Sequence, residues 1–189
     1  MFRKRFLLLL SAAAVGIGLL WIEDYTTQKT QESIDSASSL PDYYGEGLRN
    51  RSYTDKGIFE REFIASYSIH YPVKKLTEFN DPELHSVSDN GDIWVLKSLL
   101  GFHYEDLKTL LLQQEVLVTP LSELSSGEPL QTTIRTTELT LYTEEKIAKT
   151  DKPVEVTGID GRLNAVGMIM KLDQQTIEFL SQVKAHYAP

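Results

Sequence analysis

Few residues in this chain have the types and spacing that catalysis or metal binding requires. None of the four histidines lies in an HExxH or other metal-ligand spacing. The sequence contains no cysteine, which excludes disulfides and thiolate metal sites. It also contains no G-x-S-x-G nucleophile motif, no phosphate loop and no dinucleotide fingerprint. These absences predict a protein that is not an enzyme and that holds neither a metal ion nor another cofactor.

The N-terminus has the pattern of a retained membrane anchor. Three basic residues within residues 1–5 precede residues 6–22, which are uncharged and largely apolar. A helix of this length reaches roughly 25 Å, near the lower limit for a bilayer core. The basic cluster keeps residues 1–5 in the cytoplasm, so the rest of the chain lies on the far side. A signal peptide cleaved near Ala12–Ala14 is the alternative, but the apolar run continues well past these alanines.

Small residues recur within the apolar run at the spacing of helix–helix contacts. Ala12 and Gly16 form one small-xxx-small pair, and Ala14 and Gly18 form another. We expect this side of the helix to pack against another transmembrane helix. Small residues are also common in anchors that have no such partner, so that alternative stays open.

Composition changes sharply after the anchor. Residues 23–40 are rich in Ser, Thr and Gln and carry too few apolar side chains to offset the entropy of ordering, which predicts a flexible linker. Residues 41–189 are long enough for one domain with a sizeable core. The chain has a formal net charge of −8, and this acidic balance predicts no binding to nucleic acid.

Hydrophobic alternation along residues 41–189 predicts an all-β domain. Phe63, Ala65, Tyr67, Ile69 and Tyr71 alternate with polar residues, which is the pattern of a strand with one buried face. The same alternation recurs at Trp94/Leu96, Leu139/Leu141, Val154/Val156, Met168/Met170/Leu172 and Ile177/Phe179. Turn residues separate these stretches, at 55–57, 80–82, 89–91 and 160–161. Many short strands with regular turns indicate a β-sandwich or an open β-roll.

A weak internal repeat supports this interpretation. A spacing of twelve residues recurs in Tyr104–Val116, Tyr142–Val154, 71–83 and 171–183, although the last two share fewer residue types. Local spacing favours a helix around Leu110 and again after Asp173, but the repeat favours strands at both places. Stacked hairpins of this kind predict a long sheet with two open ends.

The predicted strands carry many large apolar side chains for an acidic domain of this size. From the alternation, the residues expected to face the interior are Phe63, Tyr67, Trp94, Phe102, Leu112, Leu139, Leu141, Met168, Met170 and Phe179. They either fill the core of a closed sandwich or line a groove between two sheets that do not close. Such a groove would hold acyl chains, for which adaptable methionine side chains are suited.

The order of short motifs along the chain resembles that of the LptC family, the bitopic inner-membrane components of lipopolysaccharide export in Gram-negative bacteria. The matching stretches are Thr54–Gly57, Phe63–Tyr67, Leu76–Leu84, Val154–Gly158, Val166–Met168 and Phe179–Val183. The basic N-terminus, single anchor, polar linker and acidic β domain follow one another as they do in the family. The stretch 121–130 departs from the family pattern as an insertion.

The resemblance implies a fold and a set of partners. The fold is an open, twisted β-jellyroll of two antiparallel sheets in the periplasm, preceded by one transmembrane helix. Its interior would receive the lipid A acyl chains of lipopolysaccharide from an ATP-driven inner-membrane ABC transporter and pass them to a periplasmic bridge protein of like fold. By position, Leu48, Phe79 and Ile177 match groove-facing sites of the family. The small side of the anchor would pack on the transporter's membrane helices, and the lipid phosphates would stay outside the groove.

Other functions stay open from the sequence. The domain could be a signal-anchored periplasmic adaptor that binds proteins through a β edge and carries no lipid. A periplasmic hydrolase is a third interpretation, and the missing nucleophile and metal patterns count against it. A filled, closed core would favour the adaptor, whereas an apolar trough open at both ends would favour the lipid carrier. Whether the domain forms a homodimer is open too.

Overall fold

The computed structural model describes residues 40–88, 90–121, 132–159 and 161–187, and every helix or strand within them is a β-strand. The strands, in chain order, are β1 (Tyr43–Tyr53), β2 (Phe59–Tyr71), β3 (Leu76–Asn80), β4 (Glu83–Val87), β5 (Ile93–Lys97), β6 (Leu100–Tyr104), β7 (Thr109–Leu121), β8 (Thr133–Tyr142), β9 (Ile147–Gly158), β10 (Gly161–Lys171) and β11 (Thr176–Tyr187). They belong to one compact unit, Pro41–Pro189. The described ranges contain no helix long and apolar enough to cross a membrane. The predicted anchor, residues 6–22, lies outside them.

The strands confirm the all-β prediction. Each alternating stretch found in the sequence lies in a strand, from β2 to β11, except that Leu172 falls in the turn after β10. Local spacing favours a helix around Leu110 and after Asp173. Leu110 instead lies in β7, and β11 begins shortly after Asp173. Both strands are held by ladders to their neighbours, β7 to β8 and β11 to β10, so pairing overrides the local helical spacing.

Four hairpins repeat the same turn, and this gives the twelve-residue spacing its structural meaning. The facing pairs that bound the turns are Tyr71–Leu76, Tyr104–Thr109, Tyr142–Ile147 and Lys171–Thr176. The last turn residue has left-handed backbone in each case: Lys75 (φ 46°), Lys108 (φ 50°), Lys146 (φ 55°) and Gln175 (φ 54°). Successive turns stack, because the backbone N–H of Glu105 donates to the Lys75 carbonyl at 3.0 Å and that of Leu172 donates to the Lys146 carbonyl at 2.9 Å.

Hydrogen bonding joins the eleven strands into a single antiparallel sheet, where the sequence predicts two. The long strands β2 and β7 explain the difference. One part of β2 pairs with β3 and another part pairs with β4. In the same way, β7 pairs with β6 and then with β5. The ladder therefore continues without a break through both parts of each long strand.

Irregular backbone divides this sheet lengthwise along a line that we name the crease. Register shifts interrupt the pairings β7–β8, β8–β9, β9–β10 and β10–β11 within these strands. Residues with left-handed backbone lie on the line: Gly47, Asp81, Gln114, Glu115, Gly167 and Gln182. Half A is the side that carries the four repeated turns and contains β3 and β6, and half B is the other side, with β4 and β5. Because bulges bend strands, the crease allows one sheet to fold over on itself.

The inner faces of the two halves form the core. In half B, a row of facing residues crosses the sheet: Phe63, Leu84, Leu96, Val118, Ile134 and Val156. In half A, the corresponding row contains Phe79, Gly101, Leu112 and Leu139. Apolar side chains from both rows belong to one cluster. The halves therefore pack face to face, as the two sheets of a sandwich do.

Candidate functional site between the two halves of the sheet

Most of the predicted groove residues lie in the trough, the space between the inner faces of halves A and B. In its middle the side chains are almost completely buried, each at most 4 % exposed: Trp94, Leu112, Leu139, Leu141, Met168 and Met170. All of them belong to the apolar core cluster. The protein's own side chains therefore fill the middle of the trough.

At the end of the trough beside β1, the apolar side chains are less covered. Leu48 and Phe63 are half-buried and pack against the core. Phe63 of half B meets Phe79 of half A edge to face, with their ring centroids 4.8 Å apart. This contact joins the two inner faces at the place where the core begins to open.

A cavity of about 300 Å³ lies at the same end. Its apolar lining is Leu48, Phe63, Phe79, Leu84, Leu110 and Leu141, and its polar lining is Asn50, Ser52, Arg61, His103 and Thr143. The volume is at the lower limit of the roughly 300–1,000 Å³ that small-molecule sites occupy. Two of the three positions singled out by the family resemblance, Leu48 and Phe79, thus line one cavity.

The third position, Ile177, lies at the opposite end of the trough. Ile177 and Phe179 on β11 are half-buried and pack against the core, while the other residues of β11 are exposed. Their facing residues on β10 are Met170 and Met168, which are fully buried. In the described sheet β11 pairs with β10 alone, so its outer backbone groups are unpaired. Both ends of the trough therefore present partly covered apolar surface.

Tyr67, predicted to line the groove, lies on the outer face of half A instead. It faces the exposed Asn80, whereas the next residue, Ser68, faces the buried Phe79. Upstream of the crease, Phe63 is on the inner face of half B. The buried side of β2 therefore shifts by one residue at the crease, and simple alternation does not continue through it.

Phe102 also faces outward, contrary to the prediction. It faces Glu78 across the ladder. The inner position beside it is Gly101, where an added Cβ atom would lie 2.9 Å from Cγ of Pro82. The inner face of β6 has no room for a side chain at that point, which leaves the large residue on the outside.

Two polar residues at the β1 end, Arg61 and His103, were not singled out by sequence reasoning. The Arg61 Nε atom donates to the Ser52 hydroxyl at 3.5 Å. Burial lowers the pKa of His103 and the Arg61 charge adds to this, while Glu105 opposes it. Arg61 could have been found, because it stands two residues before Phe63 and shares its face. His103 could not, since alternation in β6 marks Phe102 instead.

The rims of the two halves are their edges away from the crease. Among the described residues, polar contacts join them at two points. Lys146, in a repeated turn of half A, forms an ion pair with Glu60 of half B at 2.6 Å. This hydrogen bond lowers the pKa of Glu60. Gln175, in the last repeated turn of half A, donates to Asp92 in the β4–β5 turn of half B at 2.6 Å. Polar contacts thus hold the rims together above a filled core.

The chemistry that this arrangement offers is the burial of apolar groups. Within the described ranges, no group of three or more His, Cys, Asp and Glu side chains stands close enough to hold a metal ion.

A family model for lipopolysaccharide-assembly, LptC-related proteins matches residues 6–188 of the chain. The chain belongs to the LptC-related family. Comparison with curated proteins gives no match.

Membership of the LptC-related family implies a role in lipopolysaccharide assembly and transport, among partners of the Lpt system. The family consists of transport components and not of enzymes. It suggests a location at the inner membrane and in the periplasm. The residues predicted to pack in the membrane, Ala12, Ala14, Gly16 and Gly18, lie outside the described residues.

Proposed function

We propose that this domain carries lipopolysaccharide from the inner membrane toward the outer membrane, with the lipid A acyl chains held in the trough. The observation that supports this is the apolar inner face, which runs from Leu48 on β1 to Phe179 on β11 and is only half-buried at both ends. Each methylene group removed from water contributes about 0.8 kcal/mol. Acyl chains can therefore be held mainly by apolar burial.

Carriage through the middle of the trough requires the halves to move apart, because Leu139 and Met168 fill it. The rims are joined by the Lys146–Glu60 ion pair and the Gln175–Asp92 hydrogen bond. Partly exposed ion pairs typically contribute about 0–1 kcal/mol, so these contacts oppose opening only weakly. Acyl chains would replace the apolar contacts that separation removes. The open jellyroll with two separated walls is then the lipid-loaded form.

The lipid would come from an ATP-driven inner-membrane ABC transporter and pass to a periplasmic bridge protein of like fold. Within the described sheet, β1 and β11 are the edge strands. Their outer N–H and C=O groups can pair with a strand of another protein. A second copy of this chain docking on the same edges would give a homodimer. The energy for transport would come from ATP hydrolysis by the transporter.

The N-terminal region would hold this domain at the membrane. Residues 1–5 would lie in the cytoplasm, residues 6–22 would cross the inner membrane, and residues 23–40 would link to the domain at 41–189. Ala12, Ala14, Gly16 and Gly18 would pack against the transporter's membrane helices. Replacing Gly16 and Gly18 with leucine should weaken co-purification of the transporter and leave membrane insertion intact.

The filled core favours a second function, that of a signal-anchored adaptor without lipid carriage. A closed sandwich with two free edges can join proteins on either side without opening. The two functions differ in one measurable respect, which is whether lipid reaches the inner face.

Photo-crosslinking to lipopolysaccharide in cells that depend on this chain tests the proposal. A photoreactive amino acid replaces Phe79 at one end of the trough, Ile177 at the other, or Lys56, an exposed residue of the β1–β2 turn, as the control. We expect lipid adducts at Phe79 and Ile177 and none at Lys56. Equal labelling at all three positions, or none at any, would contradict carriage. Protein adducts without lipid adducts would favour the adaptor.

A further inference from the structure

The cavity at the β1 end places a guanidinium group beside an apolar floor. Arg61 faces Ser52 on β1 and Ser86 on β4, and it shares the inner face of β2 with Phe63, two residues later. Both Arg61 and Phe63 line the cavity. A cation and an apolar wall are therefore within one small space.

Within the part of the chain that the structure describes, Arg61 forms no ion pair with a carboxylate, although its charge helps to lower the pKa of the neighbouring Glu60. Its one side-chain hydrogen bond goes to the Ser52 hydroxyl, at 3.5 Å. The chain neighbours Glu60 and Glu62 pair elsewhere, with Lys146 at 2.6 Å and with Arg51 at 2.6 Å. Arg61 thus keeps donors for a ligand, because a guanidinium has five N–H groups in a fixed fork.

Half A contributes a second donor to the same cavity. His103 lies on the inner face of β6, where it faces Thr77 and Leu110. Burial and the nearby Arg61 charge lower its pKa, against the effect of Glu105. A neutral imidazole beside a guanidinium can donate one hydrogen bond without adding a second buried charge.

The acidity of the chain makes this placement informative. The net charge is −8, so the protein as a whole repels anions. Arg61 lines a half-buried cavity and has no ion-pair partner among the described residues, so it is a local exception to that field. Guanidinium groups match phosphate in geometry and bind it through two parallel hydrogen bonds, more strongly where water is excluded.

We propose that the β1 end of the trough binds the phosphate headgroup of an anionic amphiphile, with Arg61 on the phosphate and the acyl chain on the floor formed by Leu48, Phe63 and Phe79. This site rests on the proposed carriage of lipopolysaccharide and assigns an orientation to the lipid within it. His103 donates to the same phosphate from the opposite wall. The expectation that the lipid phosphates stay outside the groove is thereby revised at this end.

The test uses the full chain in phosphatidylcholine nanodiscs, with a photoreactive amino acid in place of Phe79. The probes are lipid A with both phosphates and the same lipid A after both phosphates have been removed. Arg61→Gln removes the charge, Arg61→Lys keeps it without the fork, and Arg162→Gln removes an exposed arginine that pairs with Glu155 on half B. Circular dichroism shows whether each variant is folded.

We expect the parent protein to cross-link the phosphorylated lipid at about tenfold lower concentration than the dephosphorylated lipid, the size of one charge-assisted contact. Arg61→Gln should abolish this ratio, Arg61→Lys should keep part of it, and Arg162→Gln should keep all of it. A ratio near one in the parent protein, or an unchanged ratio in Arg61→Gln, would overturn the site and leave carriage standing. No cross-linking of either lipid would instead overturn carriage.

Phosphatidic acid added as a competitor distinguishes two kinds of site. Equal competition supports a site for the phosphate of any anionic amphiphile, and weak competition supports a site fitted to lipid A.

Discussion

Phe63 and Phe79 belong to different halves of the sheet, and their rings meet edge to face at an interplanar angle of 67°. Phe63 lies opposite Leu84 in half B, and Phe79 lies opposite Gly101 in half A. A Cβ atom added at Gly101 would lie 2.9 Å from Cγ of Pro82 and 3.6 Å from Cβ of Phe79, so the space opposite Phe79 is already filled. The coupling between these two rings therefore measures how closely the two inner faces pack at the β1 end.

A double-mutant cycle on this pair should give a coupling of about 0.5–1.5 kcal/mol, the range for aromatic pairs beyond their burial. The variants are Phe63→Leu, Phe79→Leu and the double variant, measured by denaturant unfolding of the full chain in detergent. Tyr44 and Tyr67, with ring centroids 6.4 Å apart on the outer face, form the control pair and should couple more weakly. Additive effects at Phe63 and Phe79 would show that the halves do not pack there in solution.

Gly167→Ala should destabilise the protein by more than Gly57→Ala does. Both glycines have left-handed backbone, with φ of 79° and 76°, so an added Cβ costs each about 1–2 kcal/mol. At Gly167 that Cβ would also lie 2.9 Å from Cδ1 of Leu180, whereas at Gly57 it would meet nothing within 4 Å. Denaturant unfolding measures the difference between the two variants. Equal losses of unfolding free energy in the two variants would mean that β10 and β11 move apart at the crease without cost.

The sequence predicts strands and their buried faces well wherever the ladder is regular. Leu139 and Leu141 on β8 and Met168 and Met170 on β10 follow the alternation, and all are buried. The twelve-residue repeat corresponds to a real unit, because each repeat contains one turn that ends in a left-handed residue. Periodicity identifies these features because each depends on neighbours close in sequence.

The sequence does not predict the crease. For that reason it places Tyr67 on the wrong face and divides one ladder into two sheets. Alternation places Tyr67 on the inner face, but the buried side of β2 changes by one residue at the crease, so Ser68 faces inward instead. The sequence predicts two sheets where the ladder is continuous, because alternation does not show that β2 changes partner from β4 to β3 along its length. Arg61 and His103 come together only through the packing of half A on half B, which involves residues distant in sequence.

Trp94→Phe should change the free energy of unfolding by no more than about 1 kcal/mol, although Trp94 is 4 % exposed. Its indole N–H is buried and has no hydrogen-bond partner among the described residues. A buried N–H donor without a hydrogen-bond partner costs about 1–3 kcal/mol. Its removal therefore offsets much of the packing free energy that is lost with the larger indole ring. Leu96→Ala is the comparison, since it only deletes buried apolar atoms and should cost about 2–5 kcal/mol. A loss at Trp94 as large as that at Leu96 would show that the N–H is satisfied in solution.

Stability should fall as the pH rises past neutrality, through His70. One ring nitrogen pairs with Asp42 at 2.6 Å and the other pairs with Glu105 at 3.0 Å. The hydrogen bond to Asp42 and that to Glu105 raise the pKa of His70 in the folded state. The unfolded chain therefore releases this proton first, near pH 6.5. The stabilisation is complete below that pH and is lost as the pH rises through the folded pKa.

Unfolding of the parent chain and of His70→Gln between pH 5.5 and 9 measures this contribution. The difference in unfolding free energy between the two should be largest at the acid end and should shrink as the pH rises. All other side chains are the same in both proteins, so the difference isolates the contribution of His70. A difference that grows with pH would mean that His70 is neutral in the folded protein.

A covalent link across the rims should block lipid uptake, because the proposed carriage needs the halves to separate. The chain has no cysteine, so Asp92→Cys with Gln175→Cys gives one specific pair for a short bismaleimide. These residues join half B to half A at 2.6 Å. Lys75→Cys with Asp106→Cys is the matched control, since this pair, at 2.8 Å, links two neighbouring turns within half A. We expect the first link to abolish lipopolysaccharide adducts at Phe79 and the second to leave them unchanged. Normal adduct yield with the rims linked would place the lipid path outside the trough.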